Sequence, residues 1–185
     1  LARNLEPLLI RVADLTGRLA ARLPSDDPLV PRSRMRLRWL AEYYDKKLAR
    51  SSRAADFLTL PRASAAAAAA LWRMDDPEAE EIVASVALSR DREAADILAW
   101  RVGGTRPERA FELGMKWVSP LDAPAGKREL SDSRRAIGAM LLALSARSEE
   151  QRSAAAARVE SRLIGGQLGG EREPRVVYAY HGALL

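Results

Sequence analysis

The chain has few of the residue types that build metal centres and catalytic sites. Its 185 residues include no cysteine, which excludes disulfides and thiolate metal ligands and leaves the redox compartment open. The only histidine is His181, and no carboxylate spacing around it suggests a zinc site. A Ser-His-Asp arrangement would depend on His181, and no strand-turn-helix serine motif is present. We therefore predict no cofactor, no metal and no enzymatic activity, and we expect His181 to be buried and hydrogen-bonded.

Aromatic residues and long apolar segments are also scarce. Aromatic residues make up 5% of the chain, whereas a large β-sheet usually contains more of them together with valine and isoleucine. No stretch approaches the roughly 18 apolar residues of a membrane-spanning helix. With 48% hydrophobic and 30% charged residues, the composition is that of a folded protein. These features predict one all-α domain over residues 1–185.

The first residue is Leu1, and no signal-peptide pattern follows it. We therefore expect a segment of a longer or processed protein. The cytoplasm is the favoured compartment, and a soluble domain of a larger or membrane-anchored protein is the alternative.

The net charge of +5 is concentrated in residues 1–60, where twelve lysines and arginines stand against seven acidic residues. Such a bias occurs on ordinary solvated surfaces and on proteins that bind polyanions. We expect an ordinary surface here.

Three helices are expected within residues 1–74. In the first, the apolar residues are spaced alternately by three and four, as in an amphipathic helix with heptad phase. We call this set the leucine stripe, and it comprises Leu5, Leu8, Val12, Leu15 and Leu19. Leu9 and Leu23 widen the stripe. Two to three heptads are too few for an independent coiled coil, so we expect this helix to pack on its own domain.

The second helix is expected from Pro31 to about Arg50, because proline is accepted at the first helical position. Its apolar face is broad enough for two neighbours and comprises Met35, Leu37, Trp39, Leu40, Tyr43, Tyr44 and Leu48. Its four arginines lie on two faces of the helix, with Arg32 and Arg36 on one and Arg34 and Arg38 on the other. They therefore do not form a single row that could follow a phosphate backbone.

The third helix begins at Pro61 and continues through an alanine run, Ala65–Ala70, to Trp72 and Met74. Alanine has the highest helix propensity and allows neighbouring backbones to approach closely. The run therefore predicts a tightly packed inner helix.

A phased series of helix pairs follows, from Asp75 to the C-terminus. Acidic and proline-containing helix starts predict three pairs, over 76–89 and 91–102, 107–118 and 132–146, and 149–164 and 174–185. Two connections are long, the loop 119–130 and the glycine-rich linker 165–170, and we expect the linker to be flexible. The second helices begin about 40 residues apart, a period typical of two-helix solenoid repeats.

Three carboxylate pairs lie at the predicted helix starts: Asp75/Asp76, Glu80/Glu81 and Glu149/Glu150. Negative charge is favourable at this end of the helix dipole. We expect these pairs to cap helices and not to act as acid–base catalysts.

Residues 75–185 resemble HEAT-like repeats, whose second helices often combine an acidic residue, a Val-Arg pair and small apolar positions. The segments that carry the resemblance are Ser131–Ile137, Glu173–Val177 and Arg90–Ala95. The resemblance implies a right-handed α-α superhelix of HEAT-like helical hairpins, with a groove lined by the second helices. It also implies a scaffold that binds another protein and has no chemistry of its own. The loop 119–130 and the helices before residue 75 depart from the pattern.

The resemblance implies which residues would line the groove and bind a partner: Asp91, Trp100, Arg101, Arg134, Arg135, Arg175 and Tyr178. In HEAT-like repeats, acidic and arginine positions often bridge neighbouring repeats, and this structural role is the alternative for them.

Two other functions stay open. A nucleic-acid-binding HEAT-like protein, including a DNA glycosylase of the alkylation-repair type, would use tryptophan, aspartate and basic residues, and Asp96, Trp100 and Arg101 share one helix. A repeat segment of a membrane-associated protein is the third candidate. Core packing is the default expectation for all the tryptophans: Trp39, Trp72, Trp100 and Trp117.

Overall fold

The computed structural model describes residues 2–48, 60–88, 91–118, 132–164 and 174–184, and these residues form helices and no strand. The predicted all-α class is therefore confirmed. The helices are α1 Ala2–Ala20, α2 Leu29–Leu48, α3 Pro61–Arg73, α4 Ala79–Val86, α5 Arg92–Gly103, α6 Pro107–Trp117, α7 Asp132–Ser145, α8 Glu149–Ile164 and α9 Pro174–Leu184.

The helix boundaries agree with the prediction to within three residues, and the largest difference is at α4. It begins at Ala79, three residues later than expected, because the segment from Asp76 to Glu78 forms a turn. The loop 119–130 and the linker 165–170 lie outside the described residues.

The chain divides into two compact units, Leu1–Arg101 and Val102–Leu185. The division between the units falls within α5. The predicted boundary between the N-terminal helices and the repeats was at residue 75. The single domain over residues 1–185 stays a prediction.

Helix α3 is the centre of the first unit and packs against α1, α2 and α4. Each residue from Ala63 to Trp72 is buried, which confirms the predicted inner helix. The Oγ of Ser64 donates a hydrogen bond to the carbonyl of Leu40 in α2 (3.1 Å), and Arg34 donates to the carbonyl of Met74 (3.0 Å). Arg34, early in α2, contacts Met74 at the end of α3, and Leu40, later in α2, contacts Ser64 at the start of α3. The two helices are therefore antiparallel.

Helix α1 runs parallel to α3. Its Glu6 accepts hydrogen bonds from the backbone N–H groups of Arg62 and Ala63 at the start of α3, and its Gly17 touches Ala70 near the end of α3. A Cβ atom at Gly17 would lie only 2.7 Å from the Cβ of Ala70. The backbones of α1 and α3 can approach this closely only because Gly17 has no side chain.

Helix α1 packs within its own unit, as predicted, but not through the leucine stripe. The buried residues of α1 are Ala13, Gly17 and Ala20, which face α3, and the stripe residues are 47–58% exposed. Small side chains let α1 approach the alanine surface of α3, whereas leucines on that side would hold the helices apart.

The broad apolar face expected for α2 is also wrong in part. Leu37 is buried and Leu40 is half-buried, as predicted, but Met35 and Trp39 are exposed. Trp100 is exposed as well, so the core-packing expectation is confirmed only for Trp72 and Trp117 among the four tryptophans.

Asp76 joins α2 to the turn between α3 and α4. Its carboxylate is fully buried and accepts hydrogen bonds from Arg38 Nη2 (2.7 Å) and Nε (3.3 Å). Arg34 Nε lies 3.6 Å from the same carboxylate. Asp76 also accepts a hydrogen bond from the backbone N–H of Glu78 (3.0 Å) within this turn. The N-cap residue of α4 is Glu78, and no side chain caps the helix, so the predicted capping of α4 by Asp76 is wrong and its carboxylate serves as an anion between two arginines.

Arg38 is held by both acidic residues of this turn, because its Nη1 is 2.7 Å from Glu78 Oε1. The hydrogen bonding of Arg38 to the Asp76 carboxylate is the main cause that raises the pKa of Arg38 above its ordinary value, and the charges of Asp76 and Glu78 add to it. Arg34 and Arg38 are therefore anchors of the fold.

The second unit is organised around α7, which packs against α6, α8 and α9. Helices α6 and α7 form an antiparallel hairpin, because Gly114 lies against Leu142 and Trp117 lies against Gly138. A Cβ atom at Gly114 or Gly138 would come within 3.0 Å of the facing helix. The core that continues towards α8 and α9 contains Val118, Ala136, Ala139, Leu142, Ala155, Val159, Val176 and Tyr180.

The buried face of α9 lies one residue away from the face that would bury His181. Val176 and Tyr180 are buried, whereas His181 and Leu184 are exposed and Val177 is only half-buried. The expectation of a buried His181 is therefore wrong. One residue corresponds to about 100° around a helix, enough to move the histidine from the core to the surface.

Candidate binding surface

Helix α1 carries two apolar faces that lie on opposite sides of the same helix. In heptad terms, the leucine stripe occupies positions a and d. The buried Ala13 and Ala20 occupy position b and Gly17 occupies position f, on the opposite side. The small residues hold α1 on α3, and the leucines are left on the outside.

The leucine stripe is long and continuous. From Leu5 to Leu19 it extends over about 21 Å, at about 1.5 Å per residue. All five of its residues are at least 47% exposed. Single exposed leucines are ordinary on protein surfaces, but a continuous apolar row of this kind marks an interaction surface.

Positive charge borders the leucine stripe on one side. Arg11 and Arg18 precede Val12 and Leu19 at heptad position g, and both arginines are exposed. Arg22, in the turn that follows α1, is also exposed. The opposite border, position e, carries Leu9, Thr16 and Leu23, which have no charge.

The two described carboxylates of α1 are bound to the first unit. Glu6 Oε1 accepts the backbone N–H of Arg62 at 3.0 Å. Asp14 pairs with Arg18 on its own helix (2.9 Å) and with Arg101 of α5 (Nη1 to Oδ1, 3.5 Å). Both described carboxylates of α1 therefore make contacts within the first unit, whereas the side chains of Arg11 and Arg18 are exposed at its outer side.

The groove residues predicted in the first unit are Asp91, Trp100 and Arg101. Asp91 accepts the backbone N–H of Ala94 (2.8 Å), which caps α5, and lies 3.9 Å from Arg62. Arg101 connects α5 to Asp14 of α1. These contacts fit the structural alternative for both charged residues. Trp100 is 64% exposed, and binding by all three stays a prediction.

The groove residues predicted in the second unit lie on two adjacent helices. Arg134 and Arg135 are on α7, where Arg134 is half-buried and Arg135 is buried. Arg175 and Tyr178 are on α9, and Tyr178 is 75% exposed. The side chain of Tyr178 is therefore displayed more openly than those of Arg134 and Arg135. Partner binding by this set stays a prediction too.

The first unit also contains a cavity of about 260 Å³ between α2 and α4, lined by Ala41, Glu42, Glu78, Glu81, Ile82, Ser85 and Val86. Glu78 at its edge already pairs with Arg38. Within the described residues, no group of three or more histidine, cysteine, aspartate or glutamate side chains has the arrangement of a metal site. Among the same residues, no helix has the length and apolar character needed to cross a membrane.

No protein family, no curated protein and no solved structure matches the chain.

The exposure of the leucine stripe was not predicted, because the leucine spacing describes only one face of α1. The signal is present: Ala13, Gly17 and Ala20 form a second, small-residue face at helical spacing. A helix with both faces can bury either one, and an alanine-rich neighbour such as α3 favours the face with the smallest side chains.

Proposed function

We propose that this protein is a protein–protein interaction module and that the leucine stripe of α1 is its binding surface. The observation that carries the proposal is the exposure of a complete a/d row on a helix whose other face is already packed. A second helix or an equivalent apolar surface would bury these side chains, and each leucine contributes about 1.5–3 kcal/mol when fully removed from water.

The fold prepares the leucine stripe for binding. Helix α1 is anchored at Glu6, Gly17 and Asp14, so a partner meets a helix that is already formed. Binding to a pre-organised helix avoids much of the conformational entropy that a free peptide would lose. The proposed role is to display this helix, and it requires no chemistry from the protein itself.

We keep the HEAT-like superhelix as a proposal for residues 75–185. What supports it is the arrangement of the second unit, where the hairpin of α6 and α7 is followed by α8 and α9, and the two second helices, α7 and α9, pack side by side. A groove lined by second helices would then display Tyr178, which is exposed on α9.

Affinity purification with matched baits tests the proposed function. The baits are the wild-type chain, the double variant Leu8→Ser/Leu15→Ser, and Leu29→Ser, which removes a similarly exposed apolar side chain elsewhere in the first unit. We expect proteins retained by the wild-type and Leu29→Ser baits to be lost from the double variant. Retention by all three baits, or loss only with Leu29→Ser, would contradict a role for the leucine stripe.

A nucleic-acid-binding function is the second candidate, and one feature of α2 supports it. Arg32, Met35, Arg36 and Trp39 are exposed and share one face of the helix, at i, i+3, i+4 and i+7. Exposed tryptophan next to arginine suits base stacking with backbone neutralisation in single-stranded nucleic acid.

Titration of a labelled single-stranded oligonucleotide at two salt concentrations distinguishes this candidate. Binding through Arg32 and Arg36 should weaken steeply with salt and should fall in the variant Arg32→Gln/Arg36→Gln. Absence of binding at low salt, or binding unaffected by that variant, would rule out this face.

A further inference from the structure

We infer that the leucine stripe binds an amphipathic helix whose own apolar row is bordered by glutamate or aspartate residues. The inference rests on the proposed function and specifies its partner. Three observations carry it: the spacing of the leucine stripe, the sign of the charge beside it, and the mismatch of that charge with a second copy of α1.

The spacing favours a helical partner over a flat apolar surface. The leucine stripe follows strict a and d positions from Leu5 to Leu19, and a row restricted to a and d is the narrow seam along which two helices interlock. Helices that lie in a membrane surface expose a wider apolar face. Here the exposed row is bordered by Arg11 and Arg18 on one side, and by Thr16 and the half-buried Leu9 on the other.

The charge favours an acidic partner. In two-stranded coiled coils, the residues at g and e face charged side chains of the other helix and determine which helices pair. Arg11 and Arg18 occupy g and are exposed, and the carboxylate of Asp14, which lies nearest to them, is shared between Arg18 and Arg101. A partner with carboxylates opposite Arg11 and Arg18 would complement both the apolar row and its border.

A second copy of α1 lacks that complementarity. In a parallel pair, Arg11 and Arg18 would face the uncharged position-e residues of the other copy, Leu9, Thr16 and Leu23. In an antiparallel pair, position g faces position g, and the arginines would face arginines. Neither orientation supplies a negative charge.

Three synthetic peptides of three heptads test the inference with the full chain. All carry leucine at a and d, and they differ only at e and g, where they carry glutamate, glutamine or lysine. Binding of each fluorescently labelled peptide is measured by anisotropy at about 50 mM and about 300 mM NaCl. We expect the glutamate peptide to bind roughly ten-fold more tightly than the glutamine peptide at low salt, the lysine peptide to bind most weakly, and the difference to shrink at high salt.

Two variants show whether the binding uses this surface. Leu8→Ser/Leu15→Ser should abolish binding of every peptide, and Arg11→Glu/Arg18→Gln should remove the preference for the glutamate peptide. All these side chains are exposed, so circular dichroism should show unchanged helix content in both variants. If either variant loses helix content, the binding test is repeated with the single changes Leu15→Ser and Arg11→Glu.

The contrary results separate this inference from the proposed function. Equal binding of the glutamate, glutamine and lysine peptides would overturn the acidic partner and leave the leucine stripe as a binding surface. Stripe-dependent dimerisation of the chain alone in sedimentation, or stripe-dependent binding to anionic phospholipid vesicles without peptide binding, would overturn the helix partner in favour of a second copy or a membrane. Absence of all peptide binding would overturn the inference, while the matched-bait purification decides the proposed function independently.

Discussion

Replacing Asp76 with alanine should destabilise the first unit by about 3 kcal/mol. Asp76 is fully buried, accepts two hydrogen bonds from Arg38 and one from the backbone of Glu78, and lies 3.6 Å from Arg34. Removing one partner of a buried ion pair usually costs about 3–5 kcal/mol, because the remaining charge is left buried and unpaired. The side chains of Arg34 and Arg38 are 31% and 29% exposed, so water can solvate part of their charge, and we expect the lower end of that range.

The free energy of unfolding is measured by urea denaturation followed by circular dichroism, and hydrogen exchange assigns the change to a region. A loss of about 3 kcal/mol corresponds to a roughly hundred-fold increase in the exchange rate of amides that open with the unit. The amides of α3 should show this increase, because α3 is the centre of the first unit. The amides of α7, in the second unit, provide an internal reference.

The matched control is Asp75→Asn. Asp75 is exposed and has a left-handed backbone conformation with φ of 55°, which asparagine tolerates better than most residues. We expect a change within about 0.5 kcal/mol. The variant Arg38→Met should be much less harmful in the Asp76→Ala background than alone, because the two residues interact directly. A loss in Asp76→Ala no larger than that of the control, or additive effects in the double variant, would refute the role assigned to the Asp76 carboxylate.

Three further substitutions test the helix contacts. Gly17→Ala should lower the free energy of unfolding by about 1–2 kcal/mol, because its Cβ atom would clash with Ala70 and the clash outweighs the gain in helix propensity. Gly182→Ala, the same change on α9 where no atom lies within 4 Å, should instead be stabilising by about 0.5 kcal/mol. Ser148→Ala should cost about 1 kcal/mol, because Ser148 Oγ accepts the N–H of Gln151 and Gln151 Oε1 accepts the N–H of Ser148, a capping box at the start of α8. Urea denaturation measures all three.

Specific results would contradict these expectations. Equal effects of the two glycine substitutions would mean that α1 and α3 separate without cost. An unchanged stability in Ser148→Ala, together with unchanged exchange rates in the first turn of α8, would mean that the capping box contributes nothing.

The helices themselves could be predicted from the sequence, because their signals are local. Proline at the start of α3, α6 and α9 and the acidic first turn of α8 all mark helix starts that the structure contains. Helices α4, α5 and α6 each have a single apolar face, and that face is the buried one.

The faces of α1, α2 and α9 could not be chosen from the sequence, because each helix offers more than one apolar face. The choice depends on the shape of the neighbour. For α1, the alanine surface of α3 favours Gly17 over Leu15, although leucine is the more hydrophobic residue. Likewise, the sequence predicts that the α2 arginines lie on two faces, but it does not predict their partner. Arg34 and Arg38 pair with Asp76, about 40 residues away, and no local pattern connects them.

The completely buried stretch of α3 restricts which sequences can occupy it. An ordinary helix with one inward face tolerates substitution with a period of 3.6 residues. From Ala63 to Trp72 every position is buried, so a saturation mutagenesis profile of this stretch should be flat, with no tolerant positions between the sensitive ones. Only alanine, serine and glycine are small enough for the positions from Ala63 to Ala70. The alanine run of α3 therefore has little freedom to accept other residues, although its composition is the simplest.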